Sequence, residues 1–302
     1  MICVARPVLR RLLATTALLV ASCSAWAQSA YNPPLWEVRS GESRVYLFGT
    51  IHVGKADFYP LPAAVQSAFE KSDTLALEVD PANEQEAIAA VMSSMYTPPD
   101  NVANHLDPAL LQSVMNVSAG YGLQFEQLAQ MKPYMLMLTL TNLEYAKLGY
   151  SAQQGLETHF SQRARGEGKR IVSLESMLQQ MQMLDQLSPQ LQSAMLQITV
   201  DEISANEVAG LVDDMISAWR TGNVETLDSV LSIEEKRLPD ALAAQFRQRF
   251  LTGRNHAMAG QIDNMLQNGE RVFVAVGAMH MVGEEGLPAL LAQKGYQVKA
   301  IR

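Results

Sequence analysis

Two histidines each stand three residues after a glycine that closes an apolar run, one near each end of the chain. The first run reads Val45-Tyr46-Leu47-Phe48-Gly49-Thr50-Ile51-His52 and the second Val272-Phe273-Val274-Ala275-Val276-Gly277-Ala278-Met279-His280. β-branched and aromatic residues in an unbroken apolar run are the pattern of a buried strand, and glycine at its end permits a sharp turn. Two imidazoles delivered from two strand ends are the raw material of a metal site or an acid–base pair. The plainer alternative is a strand-end histidine bonded to a backbone carbonyl.

Two more strand-like runs end in acids. Thr74-Leu75-Ala76-Leu77 leads into Glu78-Val79-Asp80, and Arg170-Ile171-Val172-Ser173-Leu174 into Glu175. In an open α/β sheet, ligands sit beyond the carboxyl ends of the strands. If the four strands are parallel neighbours, His52, Glu78, Glu175 and His280 meet at one rim. Two histidines and a carboxylate make a metal shell with an open position, and a second glutamate can act as general base. Neutral imidazole is the ligating form, so such a site should lose metal below about pH 6.5. Glu78 ends an apolar strand, where an unpaired charge is costly, and a functional role is read for it. Asp80 precedes Pro81 and is read as a cap for the next helix. Glu175 is read either as a site residue or as a first-turn acid complementing a helix dipole.

The remaining histidines, His105, His159 and His256, have ordinary settings, whereas Glu157 in Gly155-Leu156-Glu157 points toward the rim. Arg254 is of interest because a guanidinium near carboxylates can hold a substrate carboxylate or an acidic neighbour of the site. The chain has no H-E-x-x-H, G-x-S-x-G, Walker or G-x-G-x-x-G motif.

These residues require a scaffold. Residues 1–27 read as an export signal: Arg6, Arg10 and Arg11, an apolar run from Leu12 to Ala21, then Ala25-Trp26-Ala27 as the cleavage site before Gln28. Val20-Ala21-Ser22-Cys23 also resembles a lipoprotein box, which would make Cys23 a lipid-anchored first residue. Cys3 and Cys23 both fall in this segment, so disulfide and thiolate chemistry are not expected of the mature chain. Loss of the three arginines leaves 31 acids dominant, an unfavourable charge for nucleic acid or an anionic membrane surface. No transmembrane helix is expected once the signal is removed, and the place is periplasmic or secreted.

Residues 28–302 read as one α/β domain with a mixed central sheet and parallel strand pairs. Two helical segments, about 82–168 and 176–268, are interposed between its strands. Met131, Met135, Met137, Met181 and Met183 fall in the helical tracts and fill core space or line an adaptable groove.

Tyr46 to Gly54, Leu75-Ala76-Leu77-Glu78, Gly155-Leu156-Glu157, Ser173-Leu174-Glu175, Arg254-Asn255 and Gly277-Ala278-Met279-His280 occur in the order seen in the TraB/GumN family, which is related to the Tiki metalloproteases. The chain resembles that family over essentially its whole mature length. The resemblance implies an α/β core with a peptidase-like divalent-metal site, loaded with manganese, cobalt or zinc. His52, His280 and Glu78 would hold the metal, and Glu78, Glu175 and Glu157 would be the catalytic acids. Arg254 and Asn255 would bind substrate. Glu157 stands where many members carry Asp. Other members are linked to inhibition of peptide pheromones. The expected function is an exported metal-dependent hydrolase acting on a peptide or small molecule. The alternative is a non-catalytic protein that sequesters a peptide, a haem-like group or another small ligand on the same rim.

Overall fold

The structure is a computed structural model describing residues 31–302. The expected export signal, its expected cleavage point before Gln28, and both cysteines lie outside the described residues.

β1 (Leu35–Ser40) and β2 (Ser43–Thr50) form a hairpin, followed by α1 (Ala63–Glu70) and β3 (Thr74–Leu77). A first helical excursion holds α2 (Glu84–Ser93), α3 (Pro108–Ala119), α4 (Phe125–Leu128), α5 (Pro133–Lys147) and α6 (Leu156–Gly166). After β4 (Arg170–Ser173) a second excursion holds α7 (Met177–Asp185), α8 (Pro189–Ala205), α9 (Val208–Thr221), α10 (Val224–Lys236), α11 (Asp240–Arg247) and α12 (Gly253–Gln267). β5 (Arg271–Gly277), α13 (Leu287–Gln293) and β6 (Gln297–Ala300) close the chain. Helix starts follow local chemistry. Pro108, Pro133 and Pro189 occupy first turns, and the side chains of Asn83, Asp107, Ser176 and Ser188 accept from otherwise orphaned backbone N–H groups.

The six strands form one mixed sheet in the order β4-β3-β5-β2-β1-β6. β4, β3, β5 and β2 are mutually parallel, while β1 runs antiparallel to β2 and β6. All four parallel strands therefore end on one edge, as the sequence pattern requires. Period-two alternation fixes the two faces. Val45, Leu47, Val272, Val274 and Val276 pack with Met258, Ile262, Leu287 and Leu291 of α12 and α13. On the other face, Phe48 and Phe273 meet Phe69 of α1 and Phe160 of α6, with ring centroids 4.8–5.7 Å apart. Helices cover both faces, which is why the parallel strands read as continuous apolar runs.

The helical excursions are anchored to the strand ends that matter. The buried Trp219 indole of α9 donates to the Gly49 carbonyl at 2.8 Å, tying the second excursion to the first motif. Met131 and Met137 pack in one helical core, and Met135, Met181 and Met183 in another, so packing dominates their roles. Among the described residues, no helix is long and apolar enough to cross a membrane.

Three local expectations change. β2 continues through Gly49 to Thr50, and Gly277 has φ −49°, so neither motif glycine makes a left-handed turn; among the described residues, both lie outside the positive-φ set. β3 stops at Leu77, which puts Glu78 just past the strand end. Asn83 rather than Asp80 caps α2; Asp80 instead accepts from Ala82 N–H, Ser161 and Arg165.

Candidate metal centre

Beyond the parallel strand ends lies a cleft of about 490 Å³ lined by His52, Glu78, Arg254, Gly277 and His280. His52 follows β2, Glu78 follows β3, and His280 sits on a single 3₁₀ turn, Ala278–Met281, after β5.

Each imidazole is held from behind. His52 Nδ1 lies 2.8 Å from Glu157 Oε1, which also accepts from the Thr50 hydroxyl. His280 Nδ1 lies 2.5 Å from Asn255 Oδ1. The Asn255 amide orientation is fixed because its Nδ2 donates to Glu285 O at 2.7 Å. Both Nδ1 atoms face acceptors, so both are donors, and each Nε2 is left for the cleft. This is how ligating histidines are oriented in metal sites.

His280 Nε2, Glu78 Oε1 and His52 Nε2 gather around Gly277. His280 Nε2 is 3.4 Å from Glu78 Oε1. A Cβ added at Gly277 would lie 3.1 Å from that oxygen and 3.3 Å from His52 Nε2. Glycine lets both donors approach closely, and a Cβ here would press on them both. A second steric requirement fixes His52 against Glu157. A Cβ on Gly155 would collide with the His52 carbonyl, and one on Gly54 with the Gln154 carbonyl. The backbone of the His52 loop lies directly against the start of α6.

Glu78 is buried and fully engaged. Oε1 accepts from Gly277 N–H at 2.6 Å, and Oε2 accepts from Arg254 at 2.6 Å and from Gln180 at 3.3 Å. Arg254 also grips Glu175 in a fork, Nε to Oε1 at 2.8 Å and NH2 to Oε2 at 2.6 Å. It is presented from the first turn of α12, immediately after a π-helical turn, Gln248–Thr252, and donates back to Phe250 O. π-turns shift side-chain register and recur at functional sites.

Charge is partitioned unequally between the histidines. Burial pulls His280 down to about 4, with Arg254 and His52 adding to the effect against the pull of Glu78. His280 is thus neutral at neutral pH, and its contact with Glu78 is not an ion pair. The negative charge of Glu157 raises His52 to about 9 against the effect of burial. The His52 side chain is 66% exposed by area at the cleft; contact with Glu157 decides its state. The proton on His52 therefore leaves well above pH 6.5, and the pH window expected from an ordinary histidine moves upward. Burial alone would raise Glu78, but His280, His52, Arg254 and the Gly277 N–H outweigh it and hold the carboxyl at about 2.

Among the described residues, no three His, Cys, Asp or Glu side chains stand as a ready-made metal cage. Both Glu78 oxygens accept hydrogen bonds, and Glu157 lies behind His52. The donor chemistry nevertheless fits a divalent cation, with two oriented Nε2 atoms and one ionised carboxylate oxygen around a space that a Cβ would fill.

A profile of the TraB/PrgY/gumN family matches residues 34–300. The chain belongs to this family. It is 25% identical over 270 residues to the uncharacterized protein YbaP of Escherichia coli (strain K12), covering 88% of this chain and 96% of YbaP. Metalloprotease TIKI2 of Danio rerio is 23% identical over 322 residues, covering 90% of this chain and 62% of TIKI2. TIKI2 of Xenopus tropicalis is 23% identical over 319 residues, covering 90% of this chain and 60% of that protein. No solved structure matches significantly.

Within this TraB/PrgY/gumN chain, His52, Glu78 and His280 come together at the cleft floor. Arg254 reaches Glu78 and Glu175, the second of the two settings considered for it, while Asn255 lies behind His280 and Glu157 behind His52. The other histidines are elsewhere: His105 pairs with Asp100, His159 stacks on Tyr59, and His256 pairs with Glu285. Sequence reading overlooked Thr50, Gln180 and the Gly54–Gly155 contact. Thr50 lies inside the first motif and carried a usable signal. Gln180 lies within an ordinary helical heptad and carried none.

Proposed function

We propose that this TraB/PrgY/gumN chain is an exported, metal-dependent hydrolase of peptidase type, acting in the His52–Glu78–His280 cleft. One observation carries the reading: both imidazoles are held through Nδ1, His280 Nε2 lies 3.4 Å from Glu78 Oε1, and that oxygen and His52 Nε2 both lie close against Gly277. The distant TIKI2 relatives, named metalloproteases, support metal dependence.

In this reading His52, His280 and Glu78 hold a divalent cation, manganese, cobalt or zinc. When bound, the cation supplies Lewis acidity toward a substrate carbonyl. The chain's own residues do the rest. Glu157 and Asn255 orient the imidazoles. His52 gives up its Nε2 proton before it can ligate. Arg254 and Gln180 orient Glu78, and Arg254 holds Glu175 beside it. The sequestering alternative draws on the engagement of Glu78 by Arg254, which suits a fixed binding surface as well as a ligand.

A fluorogenic peptide library incubated with the protein, with and without each metal, tests the proposal. Metal-dependent cleavage that disappears in Glu78→Gln is the expected result. Metal-independent absence of cleavage, with tight peptide binding or a Soret band on haem addition, would favour sequestration. Export is proposed to leave Gln28 as the first residue of a periplasmic or secreted chain; amino-terminal sequencing that finds lipidated Cys23 would refute that.

A further inference from the structure

A second cavity of about 370 Å³ lies beside the cleft. Thr141, Tyr145, Met215, Phe246 and Met279 line both spaces, so the two are immediate neighbours. Beyond that rim the walls are apolar, with Met195 and Ile198 from α8 and Leu211 and Val212 from α9. The acids on its wall, Glu144 and Glu202, are paired with Lys147 and Arg237, so the chamber is not built for a cation. Its volume is in the range of ligand-binding cavities, and methionines give such walls adaptability.

On the other flank, a smaller apolar groove of about 220 Å³ runs between α2, α5 and α7 and shares Leu138 and Asn142 with the cleft. Ile88 and Met92, one turn apart on α2, are 65% and 70% exposed. Leu138, Thr141, Asn142 and Tyr145 have the i, i+3, i+4, i+7 spacing of one helical face. A single face of α5 thus runs along groove, cleft and chamber.

We propose that the chamber is a side-chain subsite selecting a bulky apolar residue of an extended peptide, which lies along α5 with the bond to be cleaved over the cleft. The assignment rests on the peptidase reading of that cleft. Apolar pockets on both sides of a polar centre fit a polymer with discrete side chains. Thr141 and Asn142 lie on the seam between the pockets, where an amide backbone offers partners to the Thr141 hydroxyl and to Asn142 Oδ1. An unbroken acyl chain would desolvate these groups without recompense.

The test titrates the full-length protein, calorimetrically, with acetyl-Ala-Ala-Phe-Ala-Ala-amide and with the same peptide carrying Ala or Asp at the central position. Products are then sought by mass spectrometry in the presence of manganese. Burial of one aromatic side chain corresponds to about 10- to 100-fold in affinity, so the Phe peptide should bind at least about tenfold tighter than the Ala peptide. Leu211→Trp fills the chamber from α9 and should erase that preference; Leu211→Met should retain it. Ile198→Trp fills it from α8 and serves if Leu211→Trp does not fold. Apolar preference lost on filling, without cleavage in manganese, would uphold the subsite and refute the peptidase. Cleavage with no apolar preference, or a preference that Leu211→Trp and Ile198→Trp leave intact, would overturn the subsite and leave the peptidase standing. Failure of all peptides to bind, or binding of palmitate in their place, would also overturn it.

Discussion

Replacing Arg254 by Met separates a charge lock from a substrate clamp. Arg254 is 16% exposed at the side chain, Glu78 8% and Glu175 14%. Its removal leaves two nearly buried carboxylates facing one another without a cation. Breaking a buried pair by removing one partner costs about 3–5 kcal/mol, against about 0–1 kcal/mol for an exposed pair. At roughly 2–4 °C per kcal/mol for a chain of this size, Tm should fall by roughly 6–20 °C. Arg254→Lys keeps the charge but loses the fork, and should fall between wild type and Arg254→Met. The assay is thermal and urea denaturation of metal-free protein followed by circular dichroism. Metal affinity should be retained or increased in Arg254→Met, because Glu78 Oε2 is released. A loss of stability under about 1 kcal/mol, combined with weaker peptide binding, would refute the lock and restore Arg254 as a substrate-binding residue.

Three further outcomes follow from the geometry. Asn255→Leu removes the partner that orients His280 and should weaken metal binding by about 10- to 100-fold with the fold retained; equal affinities by calorimetry would contradict this. Because His52 is raised to about 9, metal binding at neutral pH should expel one proton, and affinity should rise about tenfold per pH unit from 7 to about 9, then level; levelling near 6.5 would show that Glu157 does not hold the proton. His280 is lowered from 6.5 to about 4, so below 6.5 the unfolded chain binds a proton that the folded chain refuses. Metal-free protein should therefore lose stability as pH falls from about 6.5 to about 4. In His280→Gln that slope should flatten, and an unchanged slope in urea titrations would remove His280 as its source.

The parallel core was legible in the sequence because buried strands have an unmistakable pattern. The runs Val45–Phe48 and Val272–Val276 lack polar interruptions, and only two helix-covered faces explain that. The rim was legible for the same reason: each strand delivers one polar residue just past its end. The support behind the rim was not. Asn255 and Gln180 act across 25 and 102 residues of chain, and no local spacing encodes such a meeting. Gly49 and Gly277 were visible, but their purpose was misread, since conformational freedom and close approach call for the same residue. The chamber beside the cleft was hidden because Met195, Leu211 and Met215 look like any helical core positions until α8 and α9 are placed around it.

Calorimetric titration of the full-length protein with manganese, cobalt and zinc is the most direct test of the metal centre. Wild type should bind one divalent cation per chain, His52→Ala and His280→Ala should bind none while retaining their circular dichroism spectra, and Glu78→Gln should bind more weakly. Equal binding by wild type and His52→Ala, or no binding by wild type to any of the three metals, would contradict the centre proposed at His52, Glu78 and His280.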